Sequence, residues 1–278
     1  MMRKQSRIQP ILFIFISFLF IITACAPVPQ KEPAAVVPSG LVQGLETQEK
    51  TSIDQAVQAE RDEIYALLAY AVVLKGWQSE DTKPQRGFNI GSVMVDDKGE
   101  VVFWARNANK ITQNGTQHGE VRLIRNYLDR VKTYNLKDHI VYTTLEPCAM
   151  CSGMMVMTNI ARTVYGQIDP DFGKALERLS LDTHNLPKGF KPYPRPVISE
   201  PSQLIIRQKL DDSYKKYQDA GGKGITNWLQ SSEAKAIYEE ALKMFLNYKV
   251  KYPENASILG KAKKFYAEVP SGYVPFPQ

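Results

Sequence analysis

The chain has 278 residues, 44% of them hydrophobic and 23% charged, with a formal net charge of +6. That length suits one or two domains, and the balance excludes a wholly disordered chain and a multi-span membrane protein. Residues 1–24 carry a net +3 through Arg3, Lys4 and Arg7, residues 25–180 a net −2 and residues 181–278 a net +5, which makes no strong case for nucleic acid.

Residues 1–7 are basic and residues 11–22 almost wholly apolar, the pattern of a secretory signal. The apolar run is shorter than the roughly 20 residues a spanning helix needs. It ends at Ile22-Thr23-Ala24-Cys25, which resembles the lipobox of bacterial lipoproteins. The resemblance implies cleavage before Cys25, lipidation of that residue and a stable membrane anchor outside the cytoplasm. The alternative is an uncleaved N-terminal anchor. Residues 1–24 are thus expected to be a signal peptide. Residues 25–51, with prolines at 27, 29, 33 and 38, are expected to be a flexible tether.

Apolar spacing then predicts a helix over residues 53–77, with Ile53, Val57, Ile64, Leu67, Ala71 and Leu74 near one face. Strands are predicted over 89–95 and 101–106, joined by the turn Asp96-Asp97-Lys98-Gly99 as a hairpin. A helix follows over 118–131, a β-branched strand over 139–145, an apolar helix over 148–160 and a strand over 162–166. Alternation after the hairpin predicts an α/β sheet with helices on both faces, in a domain of residues 52–180. Residues 181–278 read as a mostly helical C-terminal extension. Prolines break up 187–201, and Ser231 is the predicted N-cap of a long helix.

The chemistry concentrates in His118-Gly119-Glu120 and Pro147-Cys148-Ala149-Met150-Cys151. His-x-Glu followed by Pro-Cys-x-x-Cys is the signature of zinc nucleobase deaminases. A catalytic zinc takes three protein ligands and keeps one position open for water. His118 offers a nitrogen and Cys148 and Cys151 two thiolates. Cysteines three apart at a helix start share a face, and the helix N-terminus favours the thiolate. Glu120 lies two residues past the histidine, placed to take a proton from the water and return it to a ring nitrogen and a leaving amine. Taken alone, the two cysteines also suit a redox pair, but that reading leaves His118 and Glu120 unexplained.

The segment Thr143-Thr144-Leu145-Glu146-Pro147-Cys148-Ala149-Met150-Cys151-Ser152-Gly153 resembles the central motif of the cytidine deaminase-like superfamily. It is most similar to the branch of tRNA adenosine, guanine and fungal-type cytosine deaminases. Val164-Tyr165-Gly166 matches the strand that follows the motif. The resemblance covers about residues 55–180 and implies a three-layer α/β/α fold, Zn2+ and a homodimer. It further implies that Asn107 hydrogen-bonds the base and that the Gly119 amide contacts the ring. Gly119 stands where alanine is commoner in that branch. Phe172, after the last predicted strand, is expected to line the pocket.

These residues predict hydrolytic deamination by an extracytoplasmic lipoprotein, anchored to the membrane through Cys25. The expected substrate is a small-molecule base or nucleoside. Nucleic acid is the alternative substrate, and a silent deaminase-fold binding protein is the alternative from another class. Phe103 and Trp104 could flank a base, but on a strand such residues more often serve the core. Met150, Met154, Met155 and Met157 read as core packing; Tyr273 and Phe276 read as a loose terminus, with a lid over a pocket as the alternative.

Overall fold

The computed structural model describes residues 39–275, with side chains described from residue 51 onward. The predicted signal, Cys25 and Phe276 lie outside the described residues. The first helix, α1 (Ser39–Lys75), starts well before the predicted residue 53. The tether reading rested on prolines that end at Pro38. Beyond it comes a proline-free run of leucine, glutamine and glutamate, all good helix formers. Of the unit Met1–Glu46 only the helical residues from Ser39 are described, while from Thr47 onward the chain forms one compact unit.

The hairpin is β1 (Gly91–Val95) and β2 (Val101–Arg106). Its turn is tied by Asp96, whose Oδ1 accepts from the amides of Lys98 and Glu100 at 3.0 and 2.8 Å. Next come α2 (Gly119–Val131), β3 (Ile140–Thr143), α3 (Ala149–Met157), β4 (Arg162–Tyr165) and the short α4 (Ala175–Leu179). A fifth strand, β5 (Ile198–Pro201), precedes α5 (Ile205–Asp219), α6 (Ile225–Trp228), α7 (Ser232–Asn247) and α8 (Ala256–Glu268). The sheet order is β2-β1-β3-β4-β5. β1 runs antiparallel to both neighbours, and β3, β4 and β5 run parallel.

Alternation along the strands sorts the core into two layers. Val93, Val95, Tyr142 and Val164 face α1, while Met94 and Val141 face α2, α3 and α4 through Leu123, Ile124, Met155, Val156 and Leu176. Residues 64–73 of α1 are all buried. A helix enclosed on every side needs a cover opposite the sheet. Residues of α5, α7 and α8 supply it: Leu210, Tyr214, Tyr238, Phe245, Leu259 and Ala262 join α1 in one core.

Residue 180 is therefore not a structural boundary. β5 extends the sheet, and the extension packs on α1 instead of standing apart. Ser231 does cap α7, its hydroxyl accepting from the Ala234 amide at 3.1 Å. The chain end is also held. The Arg106 guanidinium donates to the carbonyls of Pro270 and Ser271 at 2.6 and 3.0 Å, and that of Arg122 to Val274 O at 3.0 Å. Residues 270–274 are thus a strap, and the loose-terminus reading is corrected.

Candidate active site

The site lies where β3 hands the chain to α3 and where the loop after β2 enters α2. In parallel α/β sheets such strand ends collect ligand-binding groups. His118 and Cys148 are the N-cap residues of α2 and α3, both with extended backbone, so the two helix starts converge on one point. Cys151 sits one turn into α3 and is buried.

His118 Nδ1 lies 3.7 Å from Cys148 Sγ and 3.6 Å from Cys151 Sγ, and the two sulfurs are 3.6 Å apart. Tetrahedral zinc, with bonds of about 2.3 Å to sulfur and about 2.0 Å to nitrogen, spaces two thiolates about 3.8 Å and a thiolate–imidazole pair about 3.6 Å apart. The observed triangle fits that requirement. Among the described residues this is the one group of three histidine, cysteine or acidic side chains placed to hold a metal. The hydrogen bond from Cys151 and the contact with His118 pull the Cys148 thiol down to about 4. Its partnership with Cys148 raises His118. Cys151 is pushed up by the neighbouring Cys148 sulfur and by burial.

Glu120, in the first turn of α2, is buried, and desolvation raises its carboxyl pKa. Thr143 Oγ1 donates to Glu120 Oε1 at 2.8 Å. The other oxygen, Oε2, lies 3.5 Å from Cys151 Sγ. One oxygen is thus anchored to β3 and the other faces the metal-ligand triangle.

Asn107 follows β2 directly, and its Oδ1 accepts from the Gly119 amide at 2.6 Å. That bond consumes the amide that sequence reasoning assigned to the substrate ring, and Gly119 is not among the pocket-lining residues. The structural role of Gly119 is close approach: a Cβ there would lie 3.1 Å from Gly91 Cα and 3.3 Å from Ala105 O. The Asn107 Nδ2 is buried with no hydrogen-bond partner, and Asn107 lines the pocket.

A 520 Å³ pocket sits over this set, lined by His118, Glu120, Cys148 and Asn107, by apolar Phe88, Ile90, Leu145 and Met150, and by Phe172 at the rim. Phe172 is 67% exposed, so it flanks the mouth more than the floor. Sequence reasoning missed three contributions. Glu146 accepts from the amides of Asp169 and Lys174 at 3.1 and 2.8 Å and so fixes the loop that carries Phe172. Phe88 precedes the first strand without a motif to mark it. Gly224, Ile225 and Thr226 bring the start of α6 to the pocket wall, signalled in sequence only by a glycine-rich loop.

Phe103 and Trp104 pack partly against the core, the role a strand more often gives them, and line a separate 650 Å³ groove along β2 that contains none of the metal-ligand set. One expectation is corrected. Met150 lines the pocket and Met157 is exposed, so neither is core packing, unlike Met154 and Met155.

Comparison with known proteins gives a consistent picture. The family profile described as "Cytidine and deoxycytidylate deaminase zinc-binding region" matches residues 60–167. The tRNA-specific adenosine deaminase of Aquifex aeolicus is 31% identical over 119 residues, covering 42% of this chain and 76% of that protein. The enzyme of the same name from Haemophilus influenzae is 34% identical over 80 residues, 29% of this chain and 46% of the relative. The chain thus spans about half the length of that relative and of the Bacillus subtilis one (52%). Among solved structures, a chain from a study of A-to-I editing by tRNA:A34 deaminases shares 31% identity. It covers 40% of this chain and 78% of its own length at a TM-score of 0.32.

Proposed function

This chain belongs to the family of the cytidine and deoxycytidylate deaminase zinc-binding region, and we propose that it deaminates a nucleobase hydrolytically, replacing an exocyclic amine by a carbonyl oxygen and releasing ammonia. The observation that carries this reading is Glu120. It is buried beside the ligand triangle, held by Thr143 through one oxygen and turned toward the triangle with the other, which meets Cys151 Sγ. A binding protein has no use for a buried carboxylate in that position.

His118, Cys148 and Cys151 would hold the zinc. Zinc bound there would supply Lewis-acid activation of a water, whose pKa such a site brings toward about 7. Glu120 Oε2 takes one proton from the attacking water and delivers it to the ring nitrogen beside the reacting carbon, then takes the second proton from the oxygen now bonded to that carbon and delivers it to the departing amine, which leaves as ammonia. Thr143 keeps the carboxylate oriented through both transfers. The unpartnered Nδ2 of Asn107 donates to an acceptor on the ring, while its Oδ1 holds the start of α2 in register. Phe88, Ile225 and Met150 pack on the base faces and exclude water, and Phe172 closes the rim.

The test is ammonia release by the zinc-loaded protein from a panel of free bases, nucleosides, nucleotides and short DNA and RNA strands. Release from at least one, with solvent oxygen appearing in the product, is the expected result. Silence across the whole panel would remove the reading.

We further propose that the protein is lipid-anchored outside the cytoplasm through Cys25, on the strength of the lipobox-like sequence alone. Among the described residues no helix is long and apolar enough to cross a membrane. Cys25→Ser is expected to move the protein from the membrane fraction to the soluble one. A variant still held in the membrane fraction would exclude this anchor.

A further inference from the structure

The catalytic pocket adjoins a second groove, and the two differ in charge. The pocket wall carries Glu120, Glu146, Asp169 and Asp171 and no lysine or arginine. The groove, 610 Å³, shares Ala149, Asp171 and Phe172 with the pocket and carries Arg178 and Lys191. Among the described residues neither of these two side chains has a hydrogen-bond or ion-pair partner. The same groove exposes Phe190 and Tyr193 beside Phe172, and these two rings are 57% and 48% exposed. Single exposed apolar side chains are ordinary, but three aromatic rings around two unpaired cations make a patch with a use.

Apart from Ala149 and Gly153 of α3, the groove is built by the segment after β4, beyond the 60–167 stretch that matches the family. Its loop is fixed. The Thr183 amide donates to Phe190 O at 2.9 Å, the Phe190 amide to Thr183 Oγ1 at 3.0 Å, and the Tyr193 amide to Leu179 O at 2.9 Å. Gly189 packs so closely on Thr183 that a Cβ would lie 1.6 Å from its carbonyl oxygen. Phe190, Lys191 and Tyr193 therefore project from a tied loop after α4, and Arg178 from α4 itself.

Resting on the deaminase reading above, we infer that this groove is the subsite for the phosphate of a nucleotide substrate, held by Arg178 and Lys191, with Phe190 and Tyr193 stacking the base carried beyond that phosphate. The chemistry is that of single-strand recognition, where cations follow the backbone and aromatic faces take bases without reading them. The partition of charge explains the orientation. The pocket carboxylates, with Asp171 at the junction, repel phosphate and admit the neutral base, so the phosphate settles at the far side by Arg178 and Lys191. Neither cation touches the reacting atoms, so both act on affinity alone.

The experiment compares zinc-loaded full chain and the variant Arg178→Gln/Lys191→Gln on one base presented as nucleoside, 5′- and 3′-monophosphate, dinucleotide and ten-residue single strand. The substituted side chains are exposed, so folding is expected to be intact. For phosphate-bearing substrates KM is expected to rise about tenfold, as loss of charge-assisted hydrogen bonds implies, with kcat and the nucleoside KM unchanged. Phe190→Ala/Tyr193→Ala is expected to raise KM only for the dinucleotide and the strand. An effect of these rings confined to monophosphates, or an equal KM for nucleoside and every phosphorylated form in the native protein, would overturn the subsite. Direct binding of a fluorescein-labelled ten-residue strand to the Glu120→Gln protein separates the two readings. Binding that the Arg178/Lys191 variant weakens, without ammonia release by the native enzyme, sinks deamination and keeps the groove. Ammonia release indifferent to phosphate sinks the groove and keeps deamination.

Discussion

Glu120→Gln is expected to lower ammonia release by about 10²–10⁴-fold, the usual contribution of a positioned proton-transfer group. The substitution keeps the shape of the side chain and a carbonyl oxygen to accept from Thr143 Oγ1, so the fold and the ligand triangle are retained. What it removes is the capacity to hold a proton between two transfers. Zinc content measured on the same sample distinguishes the roles. Unchanged zinc with lost turnover fits a proton carrier, whereas lost zinc would make Glu120 a ligand. Thr143→Val is expected to have a smaller effect, because it frees Glu120 Oε1 without removing the carboxylate. That variant checks whether anchoring on β3 matters to the transfer.

The second large effect is on stability. Arg106 is buried, and its guanidinium donates to Val72 O at the end of α1 and to Pro270 O, Ser271 O and Gly272 O of the strap. Burial lowers its pKa to about 10, so it remains a cation at neutral pH. Among the described residues no carboxylate pairs with it. The negative end of α1 and the strap carbonyls do the compensating. Arg106→Met keeps the aliphatic stem but strands those carbonyls, at an expected cost of about 3 kcal/mol. For a chain of this size that lowers Tm by about 6–12 °C, read by thermal unfolding at neutral pH. An unchanged Tm would mean that the strap does not contribute to the folded core. Arg106 directly precedes Asn107, so the strap also steadies a residue of the pocket wall.

The site was legible because its parts are short, contiguous and chemically rare. His118, Glu120, Cys148 and Cys151 each sit within the first turn of a helix, where spacing alone puts them on one side. The strands at 101–106 and 162–165 were legible from β-branched and aromatic residues bounded by turns. What stayed hidden has a common cause. β5, α4 and α6 have four or five residues each, too few for a period to emerge. The helical reading of residues 181–278 did not say what those helices would bury. That they cover α1 is a tertiary fact, as is the arrival of Ile225 at a pocket whose motif lies some seventy residues earlier. Gly119 shows the limit of resemblance. Its amide had been assigned to the substrate, but the neighbouring Asn107 Oδ1 takes it.

The central claim is that a metal held by His118, Cys148 and Cys151 and the proton carrier Glu120 form one hydrolytic centre. The most direct test measures zinc content and ammonia release together while the metal is removed by a chelator and then restored. Activity is expected to follow zinc in both directions, saturating at one zinc per chain, with Cys148→Ala and Cys151→Ala each losing both. Ammonia release that survives metal removal, or full zinc retention in both cysteine variants, would contradict it.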